Sequence, residues 1–344
     1  MNNITYYIKV TAIEPISHIG ESAGIGSLFN QEEIIMPGGR KTRVPYITGA
    51  AGKGILRRVG MEVMLALLGL DPEKANYLSH DQANPLTQHK LEVLFNGSIL
   101  TSAGDRGVKV DVGAQLAELI PWFAMVGGCL GNQMLKGRMA VDNLILICQE
   151  NEWRLKMIDQ DIKQVTGTDG LEVMPTHDLL SAREHLSMYK RSHKDDFRGG
   201  SVLRFLPPGK REQILLLQAE SQKEREGADW QDEEAGQHVQ MRYEVQGIKA
   251  GSQFFWSITG MDWTDLMHDA FQTTLAFFLS RPYLGGMSAR GFGRVHLEFL
   301  GANVVEPAQG RLETALAPKP GDLYRKHLDQ RRDEIISLLR ALEK

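Results

Sequence analysis

Two helical stretches, each set between strand-like runs, constrain this chain more than any other feature. Tyr6, Ile8 and Val10 alternate with Tyr7, Lys9 and Thr11, so a first strand is expected over about residues 4–14, ending before Pro15. Thr48 is placed to cap a helix to about Leu68, with Ile55, Val59, Val63 and Leu67 on one stripe and Gly69 as its terminator. Residues 140–149 form a buried-type strand. Two further strand-like runs, 239–245 and 254–259, precede an amphipathic helix over about 262–280 and a strand over 293–300. Strand, helix, strand, taken twice, is the split βαβ order of an α+β protein with a ferredoxin-like, RRM-like palm.

The palm is expected in two pieces, 1–150 and 239–300, with a helical insertion at about 70–135. Within the first piece, residues 17–45 read as a long loop carrying Gly20, Gly24, Gly26, Gly38 and Gly39. Residues 113–126 read as a helix interrupted at Pro121. Residues 151–238 form a polar, irregular, thumb-like insertion punctuated by Gly199-Gly200 and Pro207-Pro208-Gly209. Residues 301–344 hold a short linker at Pro318-Lys319-Pro320-Gly321 and a last helix with Leu328, Ile335, Leu339 and Leu342 on one face. No internal repeat is visible.

At 344 residues, 42% hydrophobic and 24% charged, the chain has the composition of a soluble globular protein. No apolar run reaches the roughly 18 to 20 residues of a membrane span, and no secretory signal is visible, so no membrane partner and a cytoplasmic location are expected. Cys129 and Cys148, the only cysteines, lie in apolar surroundings, which argues against a disulfide scaffold or a thiolate metal site. The histidines show no ligand spacing with cysteine or acids, so neither metal nor cofactor is expected. A net charge of −4 means that any nucleic-acid face must concentrate its cations locally. From 183 to 211 they outnumber acids, with Arg183, Lys190, Arg191, Lys194, Arg198, Arg204, Lys210 and Arg211. A solvated insertion of mixed charge is the alternative.

Two glycine-rich segments carry chemistry. Arg290-Gly291-Phe292-Gly293-Arg294-Val295, after Gly285-Gly286, reads like the start of the ribonucleoprotein octamer, in which sheet aromatics stack on bases. It departs where Arg294 and Leu297 replace aromatics, which favours phosphate contact and core packing. The alternative is a glycine-rich turn leading into an ordinary strand. Gly49-Ala50-Ala51-Gly52-Lys53-Gly54 approaches a nucleotide phosphate loop, but Ile47 stands where its first glycine belongs and Gly54 where a magnesium-binding hydroxyl belongs. What remains is a helix N-terminus with exposed N–H groups beside Lys53, Arg57 and Arg58, suited to a phosphodiester backbone, or a helix start whose glycines admit a neighbouring backbone.

A first strand leading to Ser17-His18-Ile19-Gly20, the segment Val44-Pro45-Tyr46-Ile47-Thr48-Gly49-Ala50-Ala51-Gly52-Lys53-Gly54-Ile55-Leu56-Arg57-Arg58, and the late loop Gly285-Gly286-Met287-Ser288-Ala289-Arg290-Gly291-Phe292-Gly293-Arg294-Val295 occur in order along residues 4–300. Together they resemble the RAMP superfamily of CRISPR ribonucleoproteins. Length and the basic insertion resemble its guide-RNA-coating backbone subunits, the type IV branch first and the type III branch second.

The resemblance implies a partner set: guide RNA, target nucleic acid through guide pairing, further copies of the chain in a head-to-tail filament, and other effector subunits. It implies RNA contacts from Ser17, His18, Lys53, Arg57, Arg58, Gly285, Gly286, Arg290 and Arg294, and, in a thumb over about 177–210, from Met188, Tyr189 and Arg191. Met188 and Tyr189 would wedge between nucleotides, or form a hairpin's own small core. Type III backbone subunits cut target RNA with an aspartate in the loop after strand one; here the first aspartate is Asp71, so a non-catalytic role is expected. The alternatives are a metal-independent endoribonuclease using His18 as general base, and a protein-interaction module without RNA.

Overall fold

The computed structural model describes residues 3–23, 26–71, 88–99, 110–130, 133–166, 178–192, 242–305, 310–314, 318 and 321–341. In chain order its strands are β1 (Asn3–Ala12), β2 (Ile19–Ala23), β3 (Gly26–Phe29), β4 (Gln31–Ile35), β5 (Lys41–Ile47), β6 (Ser98–Ile99), β7 (Gly128–Leu130), β8 (Gln133–Leu135), β9 (Met139–Val141), β10 (Leu144–Leu146), β11 (Leu186–Ser192), β12 (Arg242–Ile248), β13 (Gln253–Gly260), β14 (Val295–Val305) and β15 (Gly310–Thr314). The helices are α1 (Gly49–Leu67), α2 (Gln88–Asn96), α3 (Val110–Leu119), α4 (Pro121–Val126), α5 (Glu152–Thr166), α6 (Asp265–Ser280), α7 (Leu323–Gln330) and α8 (Arg332–Ala341).

The main sheet runs β15-β14-β1-β13-β10-β5-β4, with β9 beside β13. Both β14 and β13 are antiparallel to β1, and β10 is antiparallel to β13. It follows that β1 and β10 are parallel and flank β13, while β13 and β14 are parallel and flank β1. The connection within each pair carries a helix that packs in the main core, α1 in the first and α6 in the second, and the first connection holds α2, α3 and α4 as well. These are the two interleaved βαβ units of the ferredoxin-like palm.

Alternation along β1 explains the layering. Ile4, Tyr6, Ile8, Val10 and Ala12 enter the main core with Leu56, Val59, Val63 and Met64 of α1 and Ala270, Phe271, Leu275 and Phe278 of α6. On the opposite face Tyr7 joins Phe255, Ile147, Leu155 and Ile162 in a second cluster, so α5 covers part of that face. Thr48 caps α1 as expected, its hydroxyl accepting the Ala51 N–H at 3.2 Å.

Several expectations need correction. Residues 17–45 are not a loop: they contain β2, β3, β4 and the start of β5, with Pro37-Gly38 turning the chain between two pairing strands. The strand expected over 140–149 splits into β9 and β10 at Asp142-Asn143. Irregular structure expected from residue 151 gives way to the fifteen-residue α5, whose polar composition hides an apolar stripe of Leu155, Ile158 and Ile162. The single C-terminal helix is two, α7 and α8.

The chain divides into two units. The larger comprises residues 1–18, 29–187 and 247–344; the smaller comprises residues 19–28 and 188–246. In the smaller unit β3 pairs in parallel with β12, within a sheet ordered β11-β12-β3-β2. Most of the expected thumb, including Lys194, Arg198, Arg204, Lys210 and Arg211, lies outside the described residues.

Candidate nucleic-acid interface

Three segments far apart in sequence meet at Ser17-His18, where β1 has just ended. The Ser17 carbonyl accepts the Gly286 N–H at 2.8 Å, tying the late glycine-rich loop to this point. The His18 Nε2 accepts the Thr48 N–H at 3.3 Å, tying the start of α1 to it. A second line of hydrogen bonds fixes the loop: Gly293 N–H donates to Pro15 O, and Arg294 O accepts from Ile13 and Glu14. Gly285 is required by this geometry. Its φ is +81°, and a Cβ there would stand 2.3 Å from the Ser17 carbonyl oxygen.

The side chains around this junction differ in what they offer. Arg290 and Arg294 are exposed, on a short 3-10 turn (Ser288–Arg290) and just before the start of β14. Arg58 is exposed, with a 3.9 Å contact to Glu62 one turn on. Lys53 is half-buried and gives one of its three donors to Met139 O at 3.1 Å. Desolvation, and secondarily the charge of Arg57, lowers its pKa.

Three of the expected contacts turn inward. Both hydrogen bonds of the Arg57 Nη2 go to the carbonyls of Val126 and Gly127, at 3.2 and 2.7 Å, at the end of α4. Its guanidinium is therefore a structural clamp, and burial lowers its pKa. The Ser17 side chain is 1% exposed, with its hydroxyl enclosed and making no hydrogen bond among the described residues, so its backbone is what shapes the site. Burial lowers the pKa of His18, and its Nε2 lone pair is occupied by the Thr48 N–H.

The α1 terminus also departs from the open anion cradle read from its glycines. The Gly49 N–H donates to Asn143 Oδ1 at 2.8 Å, and the Ala51 and Thr48 N–H groups are bound as described. A Cβ at Gly49 would lie 2.1 Å from Val141 O, and one at Gly52 2.9 Å from the Trp256 ring. These glycines let the helix seat against β9 and β13. In the late loop, Phe292 is 4% exposed and Leu297 6%, so neither offers a ring or face for base stacking; Leu297 packs in the core as its apolar character requires.

No family model and no curated protein matches this chain. Solved structures do. A chain described as "Type IV-B CRISPR Complex" aligns over 94% of this chain and 98% of its own, with 17% identity and a TM-score of 0.50. This chain has the fold of that CRISPR-complex protein. A second structure, "Crystal structure of Thermofilum pendens Csc2", aligns over 99% of this chain and 81% of its own at 16% identity, with a TM-score of 0.37.

In the smaller unit, Met188 is 42% exposed on β11 and Tyr189 is half-buried, which raises the pKa of its hydroxyl. Arg191 lies on the same strand. Among the described residues no three His, Cys, Asp or Glu side chains gather as a metal would need, and no helix is long and apolar enough to cross a membrane. Asn143 and Met139, partners of Gly49 and Lys53, went unnoticed in the sequence because nothing local marks contacts between residues so far apart.

Proposed function

We propose that this chain is a non-catalytic RNA-binding subunit of a CRISPR effector ribonucleoprotein, coating the guide in head-to-tail copies and presenting it for target pairing. The observation that carries this reading is the junction at Ser17-His18. Its two hydrogen bonds bring the Lys53 end of α1 and the Arg290–Arg294 loop to one end of the palm. The likeness to a chain of a type IV-B complex supports the same reading through the fold.

Lys53, Arg58, Arg290 and Arg294 are the phosphate ligands in this proposal. Affinity is then electrostatic and independent of base sequence, leaving base edges free to pair. Met188, Tyr189 and Arg191 serve as thumb contacts on the guide. The occupied Nε2 of His18 favours the binding role over an endoribonuclease, since a general base needs that lone pair.

The test is a salt titration of guide-RNA binding by the full chain and by a Lys53→Ala, Arg290→Ala, Arg294→Ala variant. Each lost phosphate contact should flatten the dependence of log K on log salt by about 0.7. An unchanged slope would remove these residues from the interface, and failure of the parent chain to bind RNA would remove the function.

A further inference from the structure

The β4–β5 hairpin carries a cluster of cations that no motif marked. Its register pairs Glu33 with Arg43 and Ile35 with Lys41, so these four share one face. Glu32, Ile34, Thr42 and Val44 share the other, where Ile34 and Val44 are buried and Glu32 pairs with Arg154 of α5. The turn is Met36-Pro37-Gly38-Gly39, closed by Gly39 N–H to Met36 O at 2.9 Å. Proline at its second position and φ of +92° at Gly38 make it a type II turn, a geometry glycine supplies without strain. Around Gly38 and Gly39 a Cβ would meet nothing within 4 Å, so the tip stands in open space.

Arg40, Lys41 and Arg43 are all exposed there. The acid among them is Glu33, bonded to Lys41 at 3.0 Å, with side chains 53% and 67% exposed respectively. An ion pair that open to water is worth little, and a phosphate can replace it. Lys41 and Arg43 stand two residues apart on one strand face, about 7 Å, which is the scale of successive phosphates along an extended strand. The exposed Ile35, at 62%, lies across from Lys41 on β4 and adds an apolar surface beside it for a sugar or base. An acidic strand could present carboxylates at the same interval, so the test below includes poly-glutamate.

We propose that this hairpin is a second contact on the ribose-phosphate backbone of single-stranded RNA, with Arg40, Lys41 and Arg43 as its ligands. It rests on the RNA-binding reading above and adds a site at the sheet edge.

The test uses the full chain with labelled oligouridylate and fluorescence anisotropy across a potassium chloride series. Arg40→Ala, Lys41→Ala, Arg43→Ala together should flatten the salt slope by about 2, while Arg40→Lys with Arg43→Lys keeps it. Glu33→Gln, which frees Lys41, should tighten binding, a gain that misfolding cannot imitate. If the parent binds and the alanine variant keeps the parent slope, the hairpin proposal falls while the palm reading stands. The hairpin proposal falls equally if poly-glutamate binding, and not the RNA slope, is what the variant loses. A parent chain that binds no oligouridylate overturns both.

Discussion

The Arg57 guanidinium passes directly over the α-carbon of Gly97, where a Cβ would stand 1.3 Å from its Nη1, and donates to the last carbonyls of α4. Those carbonyls have no intrahelical donor, so Arg57 completes a helix end from another helix. Arg57→Ala should therefore cost about 1.5–3 kcal/mol of folding stability, read as a lower midpoint in denaturant with an unchanged slope. A midpoint equal to that of the parent would show that the clamp contributes nothing. From sequence, Lys53, Arg57 and Arg58 form one cationic run beside a glycine-rich segment. Charge and spacing were legible; that Arg57 is spent on Val126 and Gly127 was not, because only the tertiary fold brings α4 alongside α1.

At the scale of elements, one imidazole ties the segment after β1 to the start of α1. Burial depresses the pKa of His18 below its ordinary 6.5, and its neutral Nε2 accepts the Thr48 N–H. Above that value both folded and unfolded chains carry the ring neutral, and the bond is intact. As pH falls through it, the unfolded chain takes up the proton first, so folded stability declines. His185, buried against Ser252, shifts in the same direction and adds to the decline. His18→Gln keeps an acceptor for Thr48 without a titrating group. Its melting temperature should fall less than the parent's between about pH 7 and pH 5; equal falls would place the proton elsewhere. The palm's own elements were legible because their periodicities are strong: β1, α1, β13, α6 and β14 lie close to where alternation and apolar stripes put them. The strands from Ile19 to Ile47 were hidden by glycines at their turns and by strands too short to alternate convincingly. α5 was hidden by its charge, since a helix covering only part of a sheet face needs few apolar residues.

For the whole molecule, α5 decides which surface of the palm remains for a partner. The sheet face opposite α1 and α6 is where an RRM-like domain stacks bases on aromatics, and here Tyr7 and Phe255 do stand on it, ring centroids 6.2 Å apart. Both are nearly buried, however, together with Leu155 and Ile162 of α5. That apolar surface is thus committed to folding, and in the RNA-binding proposal the polyanion is met by cations at the palm's end and on the β4–β5 hairpin, despite a net charge of −4. Leu155→Ala separates the two roles. Removing a fully buried leucine from this cluster should cost about 2–5 kcal/mol, seen as a lower unfolding midpoint. RNA affinity and its salt slope, measured where the variant is still folded, should match the parent, because no cation moves. A loss of affinity alongside the loss of stability would mean that the covered face takes part in binding and that α5 shapes the interface rather than closing it off.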